Sequence, residues 1–185
     1  SCSLGLKANR VHFSNISINK SYYNFLPKAM LGYRLNENSF IRYDVEMSQT
    51  NPTLVELTDT EIRLDPYLAE RGNLLLKPYS NLNNNLFYEH KKGLFTFNAN
   101  LRHHYKHNPI MESVKEQGNI FLIIPENMKS WNKYNAEMNL KVGMIKNILQ
   151  FSLTGGYNHF NSQGNNYSHE YSNFYYSANV LAMYK

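Results

Sequence analysis

Residues 133–160 alternate between apolar and polar side chains along almost their whole length. A β-strand points successive side chains to opposite faces, so this pattern predicts two antiparallel strands with one apolar and one polar face. A short break at residues 145–147 separates them. Each strand is roughly eleven residues long, about twice the usual length. Long two-faced strands joined by tight turns are typical of membrane-spanning β-barrels. The apolar face carries Tyr134, Ala136, Met138, Leu140, Val142, Met144, Leu149, Phe151, Leu153, Gly155 and Tyr157.

The same alternation recurs elsewhere in the chain. It is clean over residues 29–36, 41–48, 95–105 and 173–184, and strands also resume at residues 82–88. Residues 3–13 read as a strand too, but Val11 and Phe13 fall on the opposite face from Leu4. Because a strand keeps one side chain period throughout, this change of face predicts a register irregularity in the first strand.

The connections between these strands alternate in length. Short breaks at residues 36–38, 91–93 and 145–147 alternate with longer segments after Phe13, Ser48, Tyr105 and Phe160. Tight turns on one rim and long loops on the other are the arrangement of outer-membrane barrels. We therefore predict an all-β fold: an antiparallel up-and-down transmembrane β-barrel segment of about eight long strands, with short periplasmic turns and long extracellular loops.

Two long excursions break the alternation, at residues 49–80 and 106–132, and both are predicted to be loops. Loops of this length are uncommon in compact domains unless they carry function. Within them, residues 58–64 are predicted to form a short helical turn. The apolar run at residues 120–124 is predicted to be a strand that rises beyond the membrane or folds over the opening. Residues 161–169 form a third polar excursion.

Composition is compatible with a barrel. The mean hydropathy of −0.55 resembles that of a soluble protein. A barrel with a water-filled interior also has a low mean hydropathy, because its strands alternate polar and apolar residues. No run of about eighteen apolar residues indicates a transmembrane helix. The net charge of +5 comes from scattered basic residues without a recognition motif, so no nucleic-acid partner is expected. A single cysteine, Cys2, excludes an internal disulfide.

Few residues form a group that could carry chemistry. Asp44 and Glu46 share one strand face about 7 Å apart, and paired carboxylates can act as acid and base. Arg42 lies on the same face, so we predict a salt-bridged wall instead. This face is too charged for a dry core and must meet water. The pair Gly155 and Gly156 is predicted to mark a bend or the close approach of another segment. We predict no catalytic residues, no enzyme activity and no cofactor.

The only close group of histidines is His103, His104 and His107, where a strand gives way to a long loop. Imidazole is a common metal ligand, so a metal or iron-chelate contact is one interpretation. However, His103 and His104 point to opposite faces while the strand lasts. The preferred interpretation is therefore interfacial and loop histidines with no metal bound, and the role of the three stays open.

Several segments resemble one family. Residues 71–78 (RGNLLLKP), followed by residues 83–88 and 93–105, resemble the Gly-Asn-Pro-x-Leu-Lys-Pro-Glu segment and following strand pair of TonB-dependent outer-membrane receptors. The branch that they resemble most is the outer-membrane β-barrel family typical of Bacteroidetes. Leu74, Leu75 and Tyr79 stand where the family usually has Pro, Asn and Glu. Residues 5–8, 23–36 and 131–140 are similar to other strands of the family, in the same order.

The resemblance implies that residues 1–185 are one β-barrel segment from the later half of such a receptor, with the plug domain absent. The implied function is import of a bulky nutrient or metal chelate across the outer membrane of a Gram-negative cell. The implied partners are outer-membrane lipid, the remaining barrel strands and plug of the parent receptor, TonB acting through that plug, and optionally a surface lipoprotein. No ligand-binding residue is carried over from the family.

Two alternatives remain open at this stage. The first is a complete small barrel of about eight strands, filled by its own side chains and used for adhesion or surface binding. The second is a soluble β-sandwich that binds a partner or a sugar through its tyrosine-rich faces. In a sandwich the apolar rows would meet each other across a sealed interior, whereas in a barrel they face lipid.

Overall fold

The computed structural model describes residues 1–14, 19–144 and 149–182. Its two β-sheets contain eight and four strands. In chain order the elements are β1 (Cys2–Ser14), β2 (Asn19–Asn36), β3 (Ser39–Thr50), α1 (Leu54–Leu57), β4 (Glu61–Arg63), β5 (Leu68–Arg71), β6 (Tyr79–Lys92), β7 (Phe95–His107), β8 (Ile110–Gln117), β9 (Ile120–Asn127), β10 (Ser130–Met144), β11 (Leu149–Gln163) and β12 (Ser168–Ala182).

The large sheet is an antiparallel meander with the order β1-β2-β3-β6-β7-β10-β11-β12. Every neighbouring pair in it is antiparallel. The predicted all-β fold with eight long, consecutively paired strands is therefore confirmed. Within the described residues β1 and β12 are the two edge strands of this sheet.

The two faces of the large sheet differ in chemistry, as the alternation predicts. Leu140 lies between Phe97 and Leu153, whereas its neighbour Asn139 lies between Asn98 and Thr154 on the other face. The apolar face is open: Leu4, Phe174 and Tyr176 are each more than four-fifths exposed, at 84%, 82% and 88%. No described strand covers these rows, so they do not form a sealed interior.

The predicted register irregularity in the first strand is wrong. β1 and β2 pair without interruption from Cys2 opposite Leu31 to Ser14 opposite Asn19. Phe13 falls on the same face as the polar side chains of the sheet, but near the end of β1 this face contacts other apolar groups. Its ring lies 6.0 Å from that of Tyr22, and it packs against the buried cluster of Leu57 and Leu76.

The long strands extend further toward the loop end than predicted. β2 starts at Asn19 rather than near residue 29, and the excursion predicted at residues 161–169 shrinks to residues 164–167 between β11 and β12. Backbone pairing does not need apolar side chains, so it continues where the alternation stops. The short turns after β2 and β6 are confirmed, and Gly93 in the second has a φ of +58°. The break predicted at residues 145–147 lies outside the described residues, as do residues 15–18.

The two long excursions are confirmed, but they are not irregular loops, because both contribute strands to the small sheet. Its order is β4-β5-β9-β8, and β5 pairs with β9 in parallel. The strand predicted at residues 120–124 is part of β9. The short helix is α1, not residues 58–64, because Thr53 starts it with a capping box: its hydroxyl accepts from the Glu56 backbone N–H, and the Glu56 carboxylate accepts from the Thr53 N–H.

The small sheet is a packed unit. Ala69, Leu122 and Ile124 are buried on one of its faces, and Leu57 and Leu76 form a second buried cluster nearby. No helix in the described part of the chain is long and apolar enough to cross a membrane.

Residues 71–78 tie the two excursions together. The Gly72 N–H donates to Thr58 O at 3.0 Å, and the Asn73 side chain donates to Pro125 O at 3.0 Å. Asn127 then donates to Lys77 O at 2.9 Å. The segment that resembles the receptor family is therefore a structural connector between the first excursion and β9.

Candidate functional site

The polar face of the large sheet is a wall of cross-strand rows that are rich in amide and hydroxyl side chains. One row contains Asn85, Arg102, Asn135, Asn158 and Asn173. Neighbouring polar side chains are hydrogen-bonded across the strands: Asn135 donates to Asn158 at 2.9 Å, and Asn139 donates to Thr154 at 2.7 Å. The amide and hydroxyl groups of such a surface make hydrogen bonds and are well suited to contact with water.

The charged part of this wall is salt-bridged. Arg42 Nε lies 2.8 Å from Asp44 Oδ2, and Lys28 Nζ lies 3.5 Å from Glu46 Oε2 on the neighbouring strand. Both carboxylates therefore face a cation, which confirms the predicted ion-paired wall. The Lys28–Glu46 pair is more than half exposed and contributes little to stability.

The glycine pair allows another segment to come close, but only at one of its two members. Tyr175 of β12 lies across Gly156, where a Cβ would be 2.3 Å from the Tyr175 Cζ atom. This position lets the Tyr175 hydroxyl donate to Glu137 at 2.7 Å and accept from Asn135 at 3.2 Å. Gly155 points to the opposite face, and a Cβ there would meet nothing within 4 Å.

We expect Gly156→Ala to destabilise the protein by about 1–3 kcal/mol, because the added methyl displaces the Tyr175 ring and breaks hydrogen bonds that include one to a carboxylate. Gly155→Ala is the matched control and is expected to stay within about 0.5 kcal/mol of the parent. Urea denaturation of the lipid-reconstituted protein measures both values. Equal losses for the two variants would contradict this account of the pair.

A group of cations and aromatic rings lies at the loop end of the polar face. Two adjacent cross-strand rows supply it, one running through Lys106 and Trp131 and the next through His104 and Lys133. We call it the cation–aromatic patch, and its members are His104, Lys106, Trp131, Lys133, Phe160 and His169.

The rings of the patch are in mutual contact. Trp131 is at its centre, 4.9 Å from His104 and 5.3 Å from Phe160 between ring centroids, both in edge-to-face geometry. Lys106 Nζ lies 4.9 Å from the centroid of the Trp131 ring, within the range of a cation–π interaction. The Phe160 ring also lies 6.0 Å from the ring of His169, which belongs to the neighbouring row.

The patch carries positive charge, and the carboxylate in its rows is already ion-paired. Asn81, Asn83, Ser162 and Tyr171 in the same two rows are uncharged, whereas Glu46 lies two strands from His104 and is paired with Lys28. Arg102, one row toward the turns, adds another cation, and Glu137 lies one row beyond that. An anion with flat, polarisable faces would find both opposite charge and stacking surfaces here.

Sequence reasoning missed this patch, although it noticed one member. Of the three predicted histidines only His104 belongs to it, whereas His103 and His107 lie on the apolar face. His103 stacks on Tyr134 at 4.5 Å. The three imidazoles therefore do not converge, and no three metal-ligating side chains group together among the residues that the structure describes. The available signal was the single tryptophan, Trp131, two positions before Lys133.

Comparison with known families decides what kind of sheet this is. The sequence model of the outer membrane protein β-barrel family matches residues 6–185. The chain belongs to this family. As a barrel-family protein of the Gram-negative outer membrane, it turns its apolar face to lipid and its polar face to the lumen, with the short turns periplasmic and the small sheet extracellular. The soluble β-sandwich alternative is therefore wrong.

Solved structures show the same barrel fold. The siderophore receptor PirA from Pseudomonas aeruginosa matches with a TM-score of 0.62 and 16% identity, over 85% of this chain and 35% of the receptor. The ferric enterobactin receptor PfeA, solved in complex with BCV-L6, matches with a TM-score of 0.62 and 14% identity, over 92% of this chain and 29% of the receptor. The chain thus spans about a third of the length of these receptors. No curated protein matches the sequence.

Proposed function

We propose that this chain is part of a TonB-dependent outer-membrane receptor that imports a bulky nutrient or metal chelate, and that the cargo contacts the cation–aromatic patch. The observation that carries the proposal is the position of the patch. Lys106 and Trp131 lie at the extracellular ends of β7 and β10, on the lumen face, where cargo would enter. The role is transport and not catalysis.

The chemistry of the patch favours an anionic cargo with planar groups. Lys106 and Lys133 supply charge, and the indole of Trp131 supplies the largest aromatic face. Trp131 is already in contact with His104 and Phe160, so its ring is held before cargo arrives. Preorganisation of this kind lowers the entropic cost of binding. Many metal chelates combine net negative charge with flat ligands, and they fit this description.

The likeness to two solved receptors supports the transport proposal. One of them is described as a siderophore receptor and the other as a ferric enterobactin receptor. In lipid the open edges of β1 and β12 need backbone partners, and we propose that the remaining strands of the parent receptor supply them. A plug within the completed barrel and TonB acting on that plug belong to the same proposal, as does an optional surface lipoprotein.

The test uses the parent receptor as the only uptake route in iron-starved cells, with radiolabelled ferric catecholate and ferric citrate as probes. Trp131→Ala and the double variant Lys106→Gln, Lys133→Gln are each expected to weaken binding about tenfold or more, because each removes charge-assisted or stacking contacts. Lys141→Gln is the matched control. Lys141 is a lumen-facing lysine at the periplasmic end of β10, and its loss is expected to change binding less than about twofold.

Two outcomes would overturn the proposal. The patch would lose its role if the control and the patch variants bound both probes equally well. Coupling to TonB would be contradicted if uptake by the parent receptor continued unchanged after a protonophore had collapsed the proton-motive force.

A further inference from the structure

The small extracellular sheet bears a cavity of about 520 Å³ that is separate from the cation–aromatic patch. Its floor is one face of the sheet, where the strand register aligns Ile62, Glu70 and Ile123 in one row. Pro125 and Glu112 extend the same face toward β8. α1 and the residues after it form the opposing wall. The volume is in the range of sites that hold small organic molecules.

The floor of the cavity is an apolar surface that folding leaves open. The other face of the same sheet is the buried cluster of Ala69, Leu122 and Ile124. On the cavity side, Ile62 is 55% exposed and Val55 of the wall is 78% exposed. Apolar side chains facing water in a concave site are a common mark of ligand binding.

The cavity is lined mainly by negative charge, whereas the cation–aromatic patch is positive. Glu70 and Glu112 face it, and neither forms an ion pair within the described ranges. The single lining cation, Arg71, lies 3.6 Å from Asp59 and is thereby partly neutralised.

Two other carboxylates near this site are already occupied. Glu56 accepts hydrogen bonds from Thr53 at the start of α1. Glu126 accepts a hydrogen bond from the Lys115 ammonium, which holds the pKa of that carboxyl below its usual range. Glu70 and Glu112 are therefore the carboxylates available to a ligand, and they lie at different points around an apolar floor.

We infer that the cavity binds a small amphipathic organic cation, an apolar body carrying an ammonium or guanidinium group. The body covers Ile62 and Ile123, and the charged group lies against Glu70 or Glu112. A neutral apolar molecule would leave both carboxylates uncompensated, and an anion would be repelled by them. The inference does not depend on the proposed import function, because it concerns a different surface with different charge.

The experiment compares two probes of equal shape and opposite charge, 4-phenylbutylamine and 4-phenylbutyrate. The full parent receptor is reconstituted in lipid nanodiscs with ¹³C-methyl methionine. Met111 lines the cavity and is 41% exposed, so its methyl signal reports occupancy directly. The amine is expected to shift this signal saturably, at a concentration about tenfold or more below any effect of the acid.

Variants then locate the charge. Glu70→Gln and Glu112→Gln are each expected to weaken amine binding about three- to tenfold, as the loss of one partly desolvated charge contact does. Glu116→Gln is the matched control, because Glu116 is on the same strand opposite Phe121 but does not line the cavity. It is expected to leave binding within about twofold of the parent. Unchanged signals of the other methionines show that each variant is folded.

The inference is overturned if the amine and the acid bind equally, if the Met111 signal does not respond, or if the double variant Glu70→Gln, Glu112→Gln keeps full affinity for the amine. Failure of the import proposal gives a different result. In that case, substitutions in the cation–aromatic patch would not change binding of the ferric probes, and the amine would still bind the extracellular cavity.

Discussion

Leu140→Arg is expected to block assembly of the barrel. Leu140 faces lipid between Phe97 and Leu153. It lies near the middle of the lipid-facing row of β10, which runs from Tyr134 to Met144 at the periplasmic end. An arginine near the bilayer midplane costs about 2–4 kcal/mol, which is a large share of the stability of an ordinary domain. The folded fraction can be measured from heat-modifiable migration on gels after reconstitution.

The matched control is the next residue, Asn139→Arg, which points into the lumen between Asn98 and Thr154. It loses one hydrogen bond to Thr154, worth about 1 kcal/mol, while the guanidinium remains in water. We expect this variant to assemble nearly as well as the parent protein. A second pair, Phe151→Arg and Ser152→Arg, repeats the comparison on β11. Equal tolerance on both faces would contradict the orientation of the sheet.

The two faces of the large sheet were predictable because the strand period is local. The face on which Leu140, Phe151 or Val180 lies can be read from the polarity of the residues immediately before and after it. Strand ends were less predictable, since pairing of β11 with β12 continues to Gln163 opposite Ser168, where the side chains are all polar. Alternation reports which face meets lipid and not where backbone pairing stops.

The small sheet could not be predicted by the same reasoning. β4 has three residues and β5 has four, too few to display a period. Their pairing partner is distant, because Leu68 lies opposite Phe121 in the parallel β5·β9 pair. Pro66 and Gly72 are residue types that are common in loops. In the structure, however, Gly72 lies directly against the backbone of Glu56 and Thr58.

The candidate site depends on register across several strands, and sequence alone does not give that register. Lys106 and Trp131 become neighbours only because β7 pairs with β10 at that position. The same limit applied to the glycine pair. A close approach was predicted there, but only the position of Tyr175 on β12 shows that Gly156 takes part and Gly155 does not. The position of the ion pair between Arg42 and Asp44 was predictable because both residues are on one strand.

Gly72→Ala is expected to disrupt the extracellular sheet and leave the barrel intact. A Cβ at this position would be 2.4 Å from Thr58 O, 2.7 Å from Glu56 O and 2.8 Å from Thr58 N. All three are backbone atoms, so no side chain can rotate away to make room. The segment must instead move, which breaks the bond from Gly72 N–H to Thr58 O and the adjacent bond from Asn73 N–H to Glu56 O.

The expected cost of Gly72→Ala is about 3 kcal/mol, at the upper end for forcing extra atoms into a packed site. Proteolysis of intact cells measures it, because a loosened sheet exposes residues 51–78 to protease while the barrel keeps its heat-modifiable migration. Gly5→Ala is the control, since a Cβ there makes only ordinary contacts with Lys28 at 3.9 Å. Should Gly72→Ala resist protease as well as Gly5→Ala does, the approach of Gly72 to Thr58 is not what holds the two excursions in one sheet.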